Sequence, residues 1–152
     1  MKSVALAIAA ALAACTPTAA VPEASLERAE SGLEQMPLTI TSSSGVHRFN
    51  VEVARSPDEQ TRGMMFRQSL APDRGMIFPY DPPQPVSFWM ENTLIPLDMV
   101  FIRADGTIAR ITTAVPLSQD RAPSGEPVSA VLELAGGRAA QLGIKAGDRV
   151  KW

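Results

Sequence analysis

The stretch "LDMVFIRADGTIARITTAV", Leu97 to Val115, decides the fold. Two apolar runs flank Asp105-Gly106, and a glycine in the second place of such a pair supplies the left-handed backbone that a tight hairpin needs. The stretch therefore predicts two antiparallel strands. In the first, the two-residue period puts Asp98 on one face with Val100 and Ile102. A carboxylate among aliphatic side chains is costly to bury unless something pairs with it. The hairpin thus raises a question about fold and a question about chemistry.

Working outward, "LTITSSSGVHRFNVEVA" predicts two further strands joined by a Ser/Gly turn. In the second of them Phe49, Val51 and Val53 share one face, with Arg48, Asn50 and Glu52 on the other. Ser56-Pro57 opens a helix: Ser56 is the N-cap, Pro57 takes the first helical position, and Glu59 completes a capping box. That helix is expected to run on through "EQTRGMMFRQSL". "GMIFPY" and "VSFWM" predict short strands, separated by a loop, "DPPQP", whose prolines remove backbone donors. The bond Ile95-Pro96, crowded between Asn92 and a buried strand, is expected to be cis. "VSAVLEL" predicts a strand, and "GGRAAQLGIKAGDRVKW" a short helix, a turn and a final strand. The expected fold is an α+β domain, mainly antiparallel and barrel-like, with two short helices.

Bulk composition narrows the function classes. The chain has 152 residues, 45% hydrophobic and 20% charged, enough for one domain with a sizeable core. Its net charge of −2 offers no electrostatic basis for binding nucleic acid. One Cys excludes an intramolecular disulfide, and one His excludes a zinc site built on several His or Cys ligands. A serine or cysteine triad would have to use His47, and nothing in the sequence around it suggests one. No metal and no cofactor are expected. Met64, Met65, Met76, Met90 and Met99 sit among Phe66, Ile77, Trp89 and Val100, which makes them fillers of a core rather than soft ligands for a metal.

At the N-terminus, "MKSVALAIAAALAAC" has a basic start and an apolar run too short to span a bilayer. "LAAC", Leu12 to Cys15, resembles the lipobox of bacterial lipoproteins. The resemblance implies cleavage before Cys15, a diacylglyceryl thioether on its sulfur and an acylated amine; the alternative is an ordinary secretory signal cut near Ala14 that leaves Cys15 free. It implies a membrane partner and a domain facing the periplasm, with the outer membrane favoured because Thr16 rather than an aspartate follows the cysteine. Residues 1–15 are then a signal segment, residues 16–37 a tether rich in Ala, Pro, Glu and Ser, and residues 38–152 one globular domain.

The motifs "RGMMFR", "GMIF", "FWMENTLIPLDMVFI", "VLEL" and "GIKAGDRV", in that order, resemble the bacterial and archaeal family known as domain of unknown function 192. That resemblance covers roughly residues 49–152 and implies a compact β-rich α+β fold without implying an activity. The tail "GGRAAQLGIKAGDRV" is also similar to the end of a PDZ domain. A glycine cap followed by a Gly-Asp turn produces the same local pattern without peptide capture.

The polar residues that need an explanation are Arg62, Arg67, Trp89, Asn92, Asp98 and Glu133. Glu133 lies inside "AVLELA" and repeats the problem posed by Asp98. Guanidinium forks bind carboxylates bidentately, so Arg62 and Arg67 are the expected partners of both acids, with Asn92 adding hydrogen bonds. One reading is a structural charge network. Another is a ligand pocket with Trp89 as a wall, suited to a sugar ring or other amphipathic molecule. The expected role is a binding or assembly module of the envelope; the alternative is a hydrolase of an envelope glycan using Asp98 and Glu133 as a carboxylate pair.

Overall fold

The computed structural model describes residues 31–152. The expected signal segment, Cys15 and residues 16–30 of the tether lie outside the described residues. In chain order the elements are β1 (Gln35–Ser42), β2 (Gly45–Val53), α1 (Pro57–Arg62), β3 (Arg74–Gln84), β4 (Ser87–Phe88), β5 (Leu97–Ile102), β6 (Ile108–Ala114), β7 (Ala122–Pro123), β8 (Val128–Ala135), α2 (Arg138–Gln141) and β9 (Arg149–Lys151). Strand β1 starts at Gln35, so residues 35–37, expected in the tether, belong to the sheet.

Seven strands form one sheet in the order β6-β5-β8-β3-β2-β1-β9, and β4 pairs with β7 in a small ribbon. Every neighbouring pair in the large sheet is antiparallel except β2 and β3, which run parallel. Parallel neighbours need a crossover, and the segment containing α1 supplies it. The sheet is therefore mixed, though mainly antiparallel. It curls until its two edges meet at one end: Thr107 bridges Arg149, and the Val150 N–H donates to Gly106 O at 2.8 Å. The result is a half-barrel.

Apolar side chains fall into two layers. The inner layer fills the curl with Leu38, Ile40, Val51, Ile77, Val100, Ile102, Leu132 and Leu134, and α2 contributes Ala139 to it. The outer layer coats the opposite face of β3, β5 and β8 with Met76, Phe78, Met99, Phe101 and Val131. Met64 and Met90 reach it from loops. The central strands are thus covered on both faces, which is why all six residues of β5 are buried and why β5 and β8 read as nearly continuous apolar runs. Each fully buried Leu, Ile, Phe or Met contributes roughly 1.5–3 kcal/mol of transfer free energy, so these layers rather than the short helices carry the stability. The expectation that the methionines fill the core holds for Met64, Met76, Met90 and Met99.

Helix α1 begins as its sequence dictates. The Ser56 hydroxyl accepts from the Glu59 N–H, and the Glu59 carboxylate accepts from the Ser56 and Arg55 N–H groups. It ends sooner than expected. Gly63 takes a φ of 43° and donates its N–H to Glu59 O, and the chain then turns Met64 into the outer layer. Arg67 therefore stands on a loop, not on the helix. Two local expectations also change. Strand β3 runs through the proline-rich segment with a register shift between Pro79 and Gln84. The cis peptide among the described residues is Asp81-Pro82; Ile95-Pro96 is trans, with Pro96 O accepting from the Gly136 N–H at 2.9 Å.

Candidate functional site

Asp98 is 1% exposed and faces the inner layer, beside Val100 and Ile102. Among the described residues no arginine reaches it. Its Oδ1 accepts from the Thr113 hydroxyl at 2.6 Å and the Gly137 N–H at 2.9 Å, and its Oδ2 accepts from the Ala139 N–H at 2.8 Å. The carboxylate is thus a cap delivered to α2 from another strand, where Gly137 at the N-cap has no side chain to do the job. Gly136 makes the approach possible, since a Cβ there would stand 2.7 Å from the Pro96 Cβ. The expected Asp98–arginine pair is replaced by backbone donors.

Glu133 meets the other fate. It is 4% exposed and lies opposite Met76 on β3 and Met99 on β5, whose layer covers the outer face. Its Oε2 is wholly buried and has no hydrogen-bond partner. Burial pushes its carboxyl up to about 8, against a smaller downward pull from Arg67. Tyr80 nearby is pushed up to about 12 by burial and by Glu133. Because Asp98 and Glu133 project from opposite faces of adjacent strands, they do not form a carboxylate pair.

Arg67 binds Glu52 instead. Both fork nitrogens donate to the Glu52 oxygens at 2.6 Å, and the Ser31 hydroxyl adds a third bond. Burial pushes the Glu52 carboxyl up, but these bonds outweigh it and hold the group below the ordinary glutamate value. Strand alternation places Glu52 on the face opposite Val51 and Val53 and says nothing of its partners; the loop after α1, folding back over β2, and Ser31 cover it. The remaining members also separate. Arg62 lies 5.9 Å from the centre of the Phe66 ring and pairs with neither acid. Asn92 reaches Met65 Sδ at 3.9 Å rather than a charged group. Trp89 is stacked by Arg121 at 4.4 Å.

Phe66, Asn92 and Leu117 adopt φ values of 64°, 52° and 61°, a region that side chains other than glycine rarely enter. They are joined: the Phe66 N–H donates to Asn92 O at 2.8 Å, and the Leu117 N–H to Thr93 O at 3.0 Å. The strained backbone turns Phe66 outward, 56% exposed, onto the wall of a cleft of about 870 Å³. Leu33, Asp58, Arg62, Met65 and Arg67 line the same cleft. Sequence reasoning points to Arg62 and Arg67 on this cleft but misses Phe66, since positive φ at a bulky residue has no signature in composition; Asn92 touches the cleft only through its bond to Phe66. Among the described residues, no group of three or more His, Cys, Asp or Glu is placed to hold a metal.

The "RGMMFR" loop lines the cleft and sends Met64 into the outer layer, where Met99 of the "FWMENTLIPLDMVFI" corner lies opposite Glu133 of the "VLEL" strand. Residues 38–152 match the family model of DUF192, described as an uncharacterised ACR. The chain belongs to the DUF192 family. Solved structures agree. A crystallised protein of unknown function from Novosphingobium aromaticivorans DSM 12444 is 48% identical over 81% of this chain and 89% of its own, with a TM-score of 0.79. A second, from Sinorhizobium meliloti 1021 and named as a candidate transcription regulator, is 42% identical over 78% of this chain and 94% of its own, with a TM-score of 0.76. No curated protein matches. The DUF192 match starts at Leu38, so Asp98, Glu133 and the Phe66 loop lie within it, whereas Ser31, Gly32 and Leu33 on the cleft wall precede it.

Proposed function

We propose that this DUF192 protein is a lipid-anchored envelope protein, held through Cys15, whose half-barrel works as a binding or assembly module. The supporting observation is the cleft beside α1, walled by an exposed Phe66 on strained backbone. Backbone strain persists only where the surroundings enforce it, and it concentrates at sites that bind or react. A wall of Phe66 and Met65 beside Arg62 suits an amphipathic ligand, with envelope glycans and their peptide-bearing fragments as the first class to try. The glycan-hydrolase alternative loses its support, because Asp98 caps a helix on one face while Glu133 is sealed on the other. The regulator name belongs to the Sinorhizobium relative, and a net charge of −2 lends the same role no electrostatic support in this chain.

Two measurements test the reading. Cys15→Ser is expected to move the protein from the membrane fraction to the soluble fraction, and persistence in the membrane overturns the anchor. A thermal-shift screen of glycan fragments is expected to yield ligands whose stabilisation is lost in Phe66→Ala and unaffected in Val46→Ala, an exposed position on β2. Equal shifts in both variants would falsify the assignment of the cleft.

A further inference from the structure

We infer that the end of the domain bearing Phe66, Trp89, Leu94, Val115 and Leu117 rests on the lipid bilayer, with these side chains inserted at the headgroup level. The inference rests on the proposed anchoring at Cys15.

Three loops build this end and are tied to one another by backbone bonds. Phe66 N–H donates to Asn92 O, Leu117 N–H to Thr93 O at 3.0 Å, and Met90 N–H to Ser118 O at 3.2 Å. Among the described residues seven large apolar side chains are exposed, and five of them stand on these loops; Val46 and Trp152 are the others. Apolar side chains scattered singly over a surface need no explanation, but a cluster on linked loop tips marks an interaction face. Two of the five, Phe66 and Leu117, are turned outward by positive φ. A cation sits over each aromatic ring, Arg62 at Phe66 and Arg121 at Trp89. An aromatic body beside a guanidinium is the pairing that suits a membrane interface, where the ring occupies the acyl boundary and the cation reaches the phosphates.

The position of the N-terminal chain selects lipid over a protein partner. Ser31, Gly32 and Leu33 line the same cleft as Arg62 and Phe66, so the chain leading from Cys15 enters the domain at this end. Fifteen residues, 16–30, separate Cys15 from the described chain, and a chain of that length reaches at most about 50 Å. A domain anchored at Cys15 is held close to the bilayer at high effective concentration, so contacts too weak to recruit a free protein suffice to orient this one. Asp58 and Glu59 share the cleft with Arg62 and offset its charge. Insertion of apolar groups, not attraction to anionic lipid, therefore carries the contact, and salt should change it little.

The test uses the lipidated full chain with Trp152→Phe, leaving Trp89 as its fluorophore, in proteoliposomes of phosphatidylethanolamine and phosphatidylglycerol at three to one. Brominated lipids are expected to quench Trp89, at low salt and at high salt alike. Phe66→Ser combined with Leu117→Ser should reduce the quenching at least tenfold, and Leu94→Ser with Val115→Ser should do so on its own. Trp89 left unquenched in the parent chain, or quenched as strongly in both variant pairs as in the parent, overturns the inference. So does a dimer in detergent that protects Trp89 and is abolished by the same substitutions, since a second copy would then cover the face. The mass of the mature N-terminus scores the anchor separately. If it carries no acyl chain, the anchoring reading fails and the inference that rests on it falls as well; an acylated chain whose Trp89 stays unquenched overturns the inference alone.

Discussion

Asp98 and Glu133 stand on neighbouring strands of one sheet, both almost wholly buried, and the protein treats them in opposite ways. Asp98 collects a hydroxyl and two backbone N–H groups and serves as the cap of α2. Glu133, one residue over in register and on the other face, has a buried oxygen with no partner and a carboxyl raised to about 8. Burial alone does not set the surroundings of an acid; the donors within reach do. Where helix-start amides and a hydroxyl point at the group, both its oxygens are satisfied. Where methionine side chains surround it, the proton stays on through most of the ordinary pH range.

The sharpest way to break the Asp98 side is Asp98→Ala. It leaves two amides and a hydroxyl without an acceptor, and a loss of about 3–5 kcal/mol in urea unfolding is expected from the cost of buried unpaired groups. A loss below about 1 kcal/mol would show that water replaces the carboxylate and that the cap is dispensable.

On the Glu133 side the effect is pH-dependent, and its sign follows from linkage. The folded group titrates near 8 and the unfolded one near 4.5, so between these values the native state keeps a proton that the unfolded chain releases. Stability therefore falls as pH rises from about 4.5 to 8 and levels off above. Glu133→Gln removes the titration. It is expected to match the parent near pH 4.5 and to exceed it by up to about 5 kcal/mol at pH 8.5, since each tenfold difference in proton affinity is worth about 1.4 kcal/mol. A parallel pair of stability curves for parent and variant would sink the claim.

Arg67→Ala sharpens the contrast by touching both kinds of acid. It frees Glu52, with an expected cost of about 1–2 kcal/mol for a pair that keeps some solvent contact. It also removes the charge that holds Glu133 down, so Glu133 should titrate higher still, as followed by carboxyl chemical shifts. The smallest effect is reserved for the strained loop. Asn92→Gly relieves a positive φ while adding freedom to the unfolded chain, and thermal unfolding should move by no more than about 0.5 kcal/mol.

Much of the half-barrel is legible in the residues because its signals are local. The Asp105-Gly106 hairpin, the Ser56 capping box, the double-faced apolar runs of β5 and β8 and the buried methionines each depend on neighbours in the chain. The failures share a cause. Met64 to Phe66 look helical and lengthen the expected α1, whereas Gly63 turns the chain toward the outer layer. Alternation places Glu52 opposite Val51 and Val53 but knows nothing of a loop that returns 15 residues later to cover it. One clue to Asp98 lies in the sequence: a helix that opens on Gly136-Gly137 has no capping side chain of its own and must borrow an acceptor.

By itself the sequence determined the strands, their turns, the membership of the DUF192 domain and the existence of two acids that needed an answer. Those are consequences of period, propensity and capping, which act over a few residues. Which donors answer each acid was decided only in the tertiary structure. So was the face each acid occupies, and so was the turning outward of Phe66 and Leu117 at one end. All three depend on strand order and on loops folding back across the sheet, where partners far apart in the chain come within a few ångströms and electrostatic cost is set by what surrounds a group rather than by what precedes it.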